Sequence, residues 1–200
     1  MHSTIYEFSE HPISECRRTT IDSLPEWFFQ TVADSAADTD EITRAVQIRC
    51  LEQHFGDLCM REGDQLRFVC DFKAQYFRNS YPYFMAAVRA LAKASYDMFS
   101  GIMPAPAFYA ALSSVTESYA DRFGFYVYDS DRAELLPMDA WLRTADLSIP
   151  YFVGGVMDYH TQQIHSAVGN LIMQSTEQAR LGQKSGCACS VHNSIFSTFF

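Results

Sequence analysis

The stretch from Ser148 to Ser175, SIPYFVGGVMDYHTQQIHSAVGNLIMQS, constrains this chain more than any other. It is long enough for about seven helical turns at ~1.5 Å per residue. Ser148 can cap such a helix, and Pro150 falls in the first turn, where a missing N–H costs nothing. At ~100° per residue, Val153, Val156, Met157, His160, Ile164, Ala167, Val168 and Leu171 share one face. Gly154, Asp158, Thr161, Gln162, His165 and Gly169 share the other. The wheel therefore buries His160 and exposes His165. Each glycine costs ~1 kcal/mol in a helix interior relative to alanine. Gly154, Gly155 and Gly169 on or beside one polar face imply that something approaches the backbone there.

Other segments carry weaker versions of the same signal. Ser23-Leu-Pro25-Glu26 starts a helix with Trp27, Phe28, Thr31 and Val32 inward, fading near Ala37. Asp38-Thr-Asp-Glu41 opens a second, with Ile42, Ala45, Ile48, Leu51, Phe55 and Leu58 at spacings of three and four. Ser80 and Pro82 begin a third, from Phe84 through Phe99, closed by Gly101. Phe108, Leu112, Val115, Tyr119 and Phe123 mark a fourth. A short helix carries Trp141 and Leu142. Strand patterns occur at Thr4–Phe8, at Leu66–Cys70 and at Gly124–Tyr128, the last turning through Asp129–Arg132 into a hairpin partner at Ala133–Leu136. Phe72–Phe77 fits either element. The expectation is a helix-dominated α+β fold, with several amphipathic helices packed around a small sheet. One globular domain spans 1–185, and a small, polar segment at 186–200 forms a C-terminal tail. Its last six residues, Ile195–Phe200, are apolar enough to dock on the body or on another chain.

Charge and cysteine content remove several functional classes. The net charge is −9, with ten acids against three arginines over residues 22–64. Arg67, Lys73, Arg78, Arg89 and Lys93 are too thinly spread to track phosphates, so direct nucleic-acid binding is disfavoured. No 18-residue apolar run is present, hence no membrane span, and no secretion signal is visible. Cys16, Cys50, Cys59, Cys70, Cys187 and Cys189 have no framework spacing and read as reduced cytoplasmic thiols.

Two constellations carry candidate chemistry. Asp158, Gln162 and His165 lie on the polar face of the long helix, where a carboxylate, an amide and an imidazole suit acid–base or metal-assisted hydrolysis. The bland reading is a solvated face. His160 and His165 are five apart, ~140° around a helix, and cannot chelate one ion together. Cys187, Cys189 and His192 could hold zinc or copper, or pair a thiolate with its base; the bland reading is an oxidation-prone tail. Asp38/Asp40 and Asp129/Asp131 sit at caps or turns, where short acids belong. The ring-rich run Tyr76–Phe84 stacks either a ligand or the core. No Walker loop, GxGxxG or G-x-S-x-G is present, and no cofactor is implied.

By elimination the sequence describes a cytoplasmic, acidic binding or regulatory protein, not an enzyme. It acts through a protein–protein surface on a partner with a basic surface, as an inhibitor or nucleic-acid mimic among the options, and an oligomer is compatible with it. The alternatives are a small hydrolase using Asp158, Gln162 and His165, and a structural subunit docking through its apolar C-terminus.

Overall fold

In the computed structural model the long periodic stretch is a strand. The elements run β1 (His2–Ser9), α1 (Glu26–Thr31), β2 (Ala33–Asp38), α2 (Glu41–Phe55), β3 (Cys59–Glu62), β4 (Gln65–Phe68) and α3 (Phe72–Tyr76). They continue α4 (Ser80–Leu91), α5 (Tyr96–Phe99), α6 (Pro106–Tyr119), β5 (Tyr126–Asp129), β6 (Glu134–Pro137), α7 (Met138–Thr144) and β7 (Tyr151–Thr161). The structure describes residues 2–103 and 105–162, which belong to one compact unit. The domain boundary near 185, the docked tail and the second half of the expected long helix lie outside the described residues.

The seven strands form one mixed sheet in the order β3-β4-β7-β1-β5-β6, with β2 also paired to β7. β1 and β5 are parallel; the other pairs are antiparallel. This overturns the expectation of a helix-dominated fold around a small sheet. Two strands replace expected helix, β2 at the end of one and β7 at the start of the longest, and β3 forms on residues for which no strand is expected. Ser148 does not cap a helix. Its N–H and hydroxyl both donate to Asp146 Oδ1, at 3.0 and 2.6 Å, in the turn before β7.

The physical reason lies in the pairing of β7 with β1. Tyr6 opposes Val156 and Phe8 opposes Val153, so Glu7 faces two residues, Gly154 and Gly155, across a β-bulge. The extra residue puts Val153 and Val156 on the same face, and Met157 and Tyr159 on the other. A Cβ on Gly154 would lie 2.6 Å from both Glu7 Cδ and Ile13 Cδ1. One on Gly155 would meet the Thr19 carbonyl oxygen. Something does approach the backbone here, as the glycines imply, and it is the Glu7 carboxylate with the chain at Thr19. Glu7 is buried and accepts from Thr19 N (2.9 Å), Thr19 Oγ1 (2.6 Å), Ser130 Oγ (2.5 Å) and Gly155 N (2.5 Å). Four donors on one carboxylate offset the cost of taking it out of water.

The other edge of β7 is shared. β4 pairs with Tyr151 and Phe152, and β2 with Met157–Thr161. In the gap between them, the buried Arg44 donates Nε to Gly154 O and Nη2 to Val153 O, both at 2.7 Å. Its guanidinium also pairs with Asp64 at 3.1 Å. Arg44 thus takes the place of a missing strand, satisfying carbonyls that burial would otherwise orphan.

Two apolar layers cover the sheet. Tyr6, Phe8, Val127, Val153 and Val156 meet Ile48, Leu51 and Phe55 of α2, Phe72 of α3, and Trp141 and Leu142 of α7. On the other face Ile5, Tyr126, Met157 and Tyr159 meet Phe28 of α1 and Val32. α2 starts where expected, with the Asp40 side chain accepting from Thr43 N at 2.7 Å. Its inward stripe is Arg44, Ile48, Leu51 and Phe55, while Ile42 is exposed.

Candidate functional site

The last turn of α2 carries His54 next to the buried Phe55, whose ring anchors the helix on Phe68 and Phe72 at 5.5 and 5.4 Å between centroids. α3 then presents Tyr76, stacked on Phe72 at 5.2 Å, and α7 presents Asp139 from its first turn. The three polar groups form a chain. Tyr76 Oη donates to Asp139 Oδ1 at 3.1 Å and lies 2.9 Å from His54 Nε2. Tyr76 gives its one proton to the carboxylate, so His54 Nε2–H must be the donor in the other bond. This fixes the imidazole tautomer and leaves Nδ1 as an acceptor.

Burial sets the charge states. It lowers the His54 pKa below the usual histidine value, against the pull of Asp139. It raises that of Asp139, against the Tyr76 hydrogen bond and the attraction of Arg143 and His54. It also raises that of Tyr76, with the Asp139 charge adding to the shift. The imidazole and the phenol are held in their neutral forms, and the Asp139 carboxylate titrates above its usual range.

This chain lines a cavity of about 410 Å³ closed by the start of β1 and the loop before β5. That loop is held by Asp121 Oδ1, which accepts from Phe123 N at 2.9 Å, and by Gly124 O, which accepts from Ser3 Oγ (2.8 Å) and Tyr159 Oη (2.5 Å). His2 reaches the cavity from β1. Its Nδ1 lies 2.9 Å from Asp158 Oδ2, and its ring centroid 3.5 Å from that of His160.

Of the residues singled out in the sequence, Asp158 and Gln162 are held by different groups. Asp158 sits in β7 and bonds to His2. Gln162, just past the strand, donates its amide to Phe29 O (2.6 Å) and Ala33 O (3.4 Å), so it shares no partner with Asp158. His165, Cys187, Cys189 and His192 lie outside the described residues. His160 is exposed, not buried, because a strand alternates and its face is opposite to that of Tyr159. Cys16, Cys50, Cys59 and Cys70 are free thiols, and burial pushes that of Cys59 up to about 11. Among the described residues, no three His, Cys, Asp or Glu side chains gather to hold a metal ion. The paired acids are structural. Asp129 is buried and accepts from Trp141 Nε1 at 3.0 Å, and Asp131 ties the β5–β6 turn to Ser9 and Glu10. Tyr76 belongs to the ring-rich run noted in the sequence, but its grouping with His54 and Asp139 escapes sequence reasoning because 22 and 63 residues separate the pairings and no spacing links them.

A second feature is the hairpin of α4 and α6. Both helices pack chiefly on each other and bury only Ala87 and Ala111. Between Ser80 and Tyr119, nine large apolar side chains are exposed, among them Tyr83 (74%), Tyr96 (75%) and Ile102 (71%). The third expected helix ends early, at Leu91, and Met98 and Phe99 belong to the separate α5. At the base, the Arg143 guanidinium lies 4.1 Å from the Phe77 ring and 4.3 Å from that of Tyr119, and donates to Tyr119 O and Asp139 O. Among the described residues, no helix is long and apolar enough to cross a membrane. No protein-family model, curated protein or solved structure matches the chain.

Proposed function

We propose that this chain is a cytoplasmic protein-binding module that seats its α4–α6 hairpin on a partner protein, with the acidic body alongside. The observation that carries this reading is the exposure of nine large apolar side chains within one helical hairpin. A concentration of large exposed apolar side chains in one segment favours an interaction surface, and tyrosines are favoured anchors. Charge defines the partner. Residues 80–119 hold Arg89 and Lys93 against Asp97 and Glu117, so the hairpin is neutral in a chain of net charge −9. A complementary surface has an apolar seat bordered by lysine and arginine. The hydrolase reading gains no such support, since Asp158 and Gln162 bond to different groups.

The test compares the immobilised wild-type chain with Tyr83→Ser/Phe99→Ser in quantitative affinity capture from the native host, at low and high salt. Both substitutions are at exposed positions, so thermal melts should coincide. A partner with a basic-rimmed apolar surface, lost by the variant and weakened by salt, supports the reading. Equal capture by both chains overturns it. So does a second copy of this chain as the only occupant of the hairpin, shown by a concentration-dependent dimer that the variant abolishes.

A further inference from the structure

We propose that the cavity lined by His54, Tyr76, Asp121 and Asp139 binds a small organic cation: an amine, amidine or guanidine on a compact apolar body. At about 410 Å³ it falls in the range of small-molecule pockets. Its charge is one-sided. Two carboxylates line it and no lysine or arginine does. Two guanidinium groups lie beside it without lining it: Arg143 is engaged by two backbone carbonyls and two rings, and Arg122 donates to Thr31 O and lies 5.5 Å from the Phe123 ring. Each carboxylate has one oxygen committed and one open. Asp139 Oδ1 accepts from Tyr76 and Asp121 Oδ1 from Phe123 N, whereas neither Oδ2 receives a hydrogen bond among the described residues.

The other walls agree. Tyr76, Phe123 and Phe125 put aromatic rings around the space, which suit a cation on an apolar body, and the Phe123 ring already has the Arg122 guanidinium 5.5 Å from its centroid. The His54 Nδ1 left free by the bond to Tyr76 adds a further acceptor for an N–H donor. An occupant cation would also relieve the strain that burial places on Asp139, since a nearby positive charge favours the carboxylate. An anion would meet two carboxylates, offset only by the imidazole of His2, which already lies 2.9 Å from Asp158, and the described residues do not gather as metal ligands. This site is independent of the hairpin.

The test is an NMR titration of the full chain, following the His54 ring signals, with benzamidine and phenethylamine as cations and benzamide and benzoate as neutral and anionic counterparts. Saturable shifts with a cation, at a Kd of about 1 mM or tighter, and at least roughly tenfold weaker binding of benzamide and benzoate support the proposal. Asp139→Asn retains an acceptor for Tyr76, and Asp121→Asn one for Phe123 N. Both variants should fold, checked by near-UV circular dichroism, and should lose cation binding about tenfold or more. Tyr83→Ser/Phe99→Ser should bind as wild type. No saturable shift with either cation, equal binding of benzoate, or unchanged affinity in both folded Asn variants overturns it.

Discussion

Gly155→Ala distinguishes strand from helix by the sign of its effect. In an exposed helix interior the change would stabilise by ~1 kcal/mol. In the bulge, the new methyl meets the Thr19 carbonyl oxygen and sits 3.2 Å from Glu7 Oε2. Thr19 cannot simply withdraw, because its N–H and hydroxyl are both bonded to the Glu7 carboxylate. Overpacking of this kind costs ~1–3 kcal/mol, and each weakened bond to a charged acceptor adds ~1.5–3 kcal/mol. A net loss of about 3 kcal/mol corresponds to a melting temperature lower by roughly 6–12 °C for a domain of this size. Gly154→Ala displaces the carboxylate itself and should cost more. Coupling to Glu7 gives a second check: in the background of Glu7→Ala, Gly154→Ala should lose much of its effect, a non-additivity of at least ~1 kcal/mol. Urea and thermal unfolding measure the wild type and all four variants. A melting temperature of Gly155→Ala equal to or above wild type would refute the bulge and return this stretch to the helix.

Arg44→Ala should destabilise by about 3 kcal/mol, because two buried carbonyls of β7 lose charged donors; Arg44→Lys, with no fork to span them, should recover only part of this in urea titrations. Arg143→Ala removes the cation held between Phe77 and Tyr119, so limited proteolysis should cut residues 80–119 faster while the global melt moves little. Stability should depend on pH through two opposed groups. The lowered pKa of His54 gives a contribution that is complete above 6.5 and lost as pH falls through the folded value; His54→Phe should flatten that slope. The raised pKa of Asp139 gives a contribution present below 3.8 and lost as pH rises through its folded value, and Asp139→Asn should remove it. Duplex DNA titrated at ~150 mM salt should show no submicromolar binding, since no cationic stripe offsets the net charge.

Much local structure is legible in the chain. Asp40 caps α2, and the β5–β6 hairpin forms around Asp129–Arg132. These features depend on neighbours a few residues apart, and residue type reports them directly. The polar cavity is not legible, because His2, His54, Tyr76, Asp121 and Asp139 come from five separate segments that only the packed sheet and helices bring to one place.

β7 marks the boundary between the two kinds of information. Val153, Val156, Met157 and His160 are spaced by three, one and three residues, the signature of a helical stripe. In the sheet the three-residue step from Val153 to Val156 arises because the bulge at Gly154-Gly155 inserts one residue and shifts the two-residue alternation, while Met157 faces the other way. The bulge exists because a carboxylate on β1 must reach Thr19, Ser130 and the Gly155 N–H at once. The sequence by itself determined that the backbone here must be approached closely. Which group approaches, and hence whether the stretch is strand or helix, depended on partners as many as 148 residues away, and only the tertiary structure decided it.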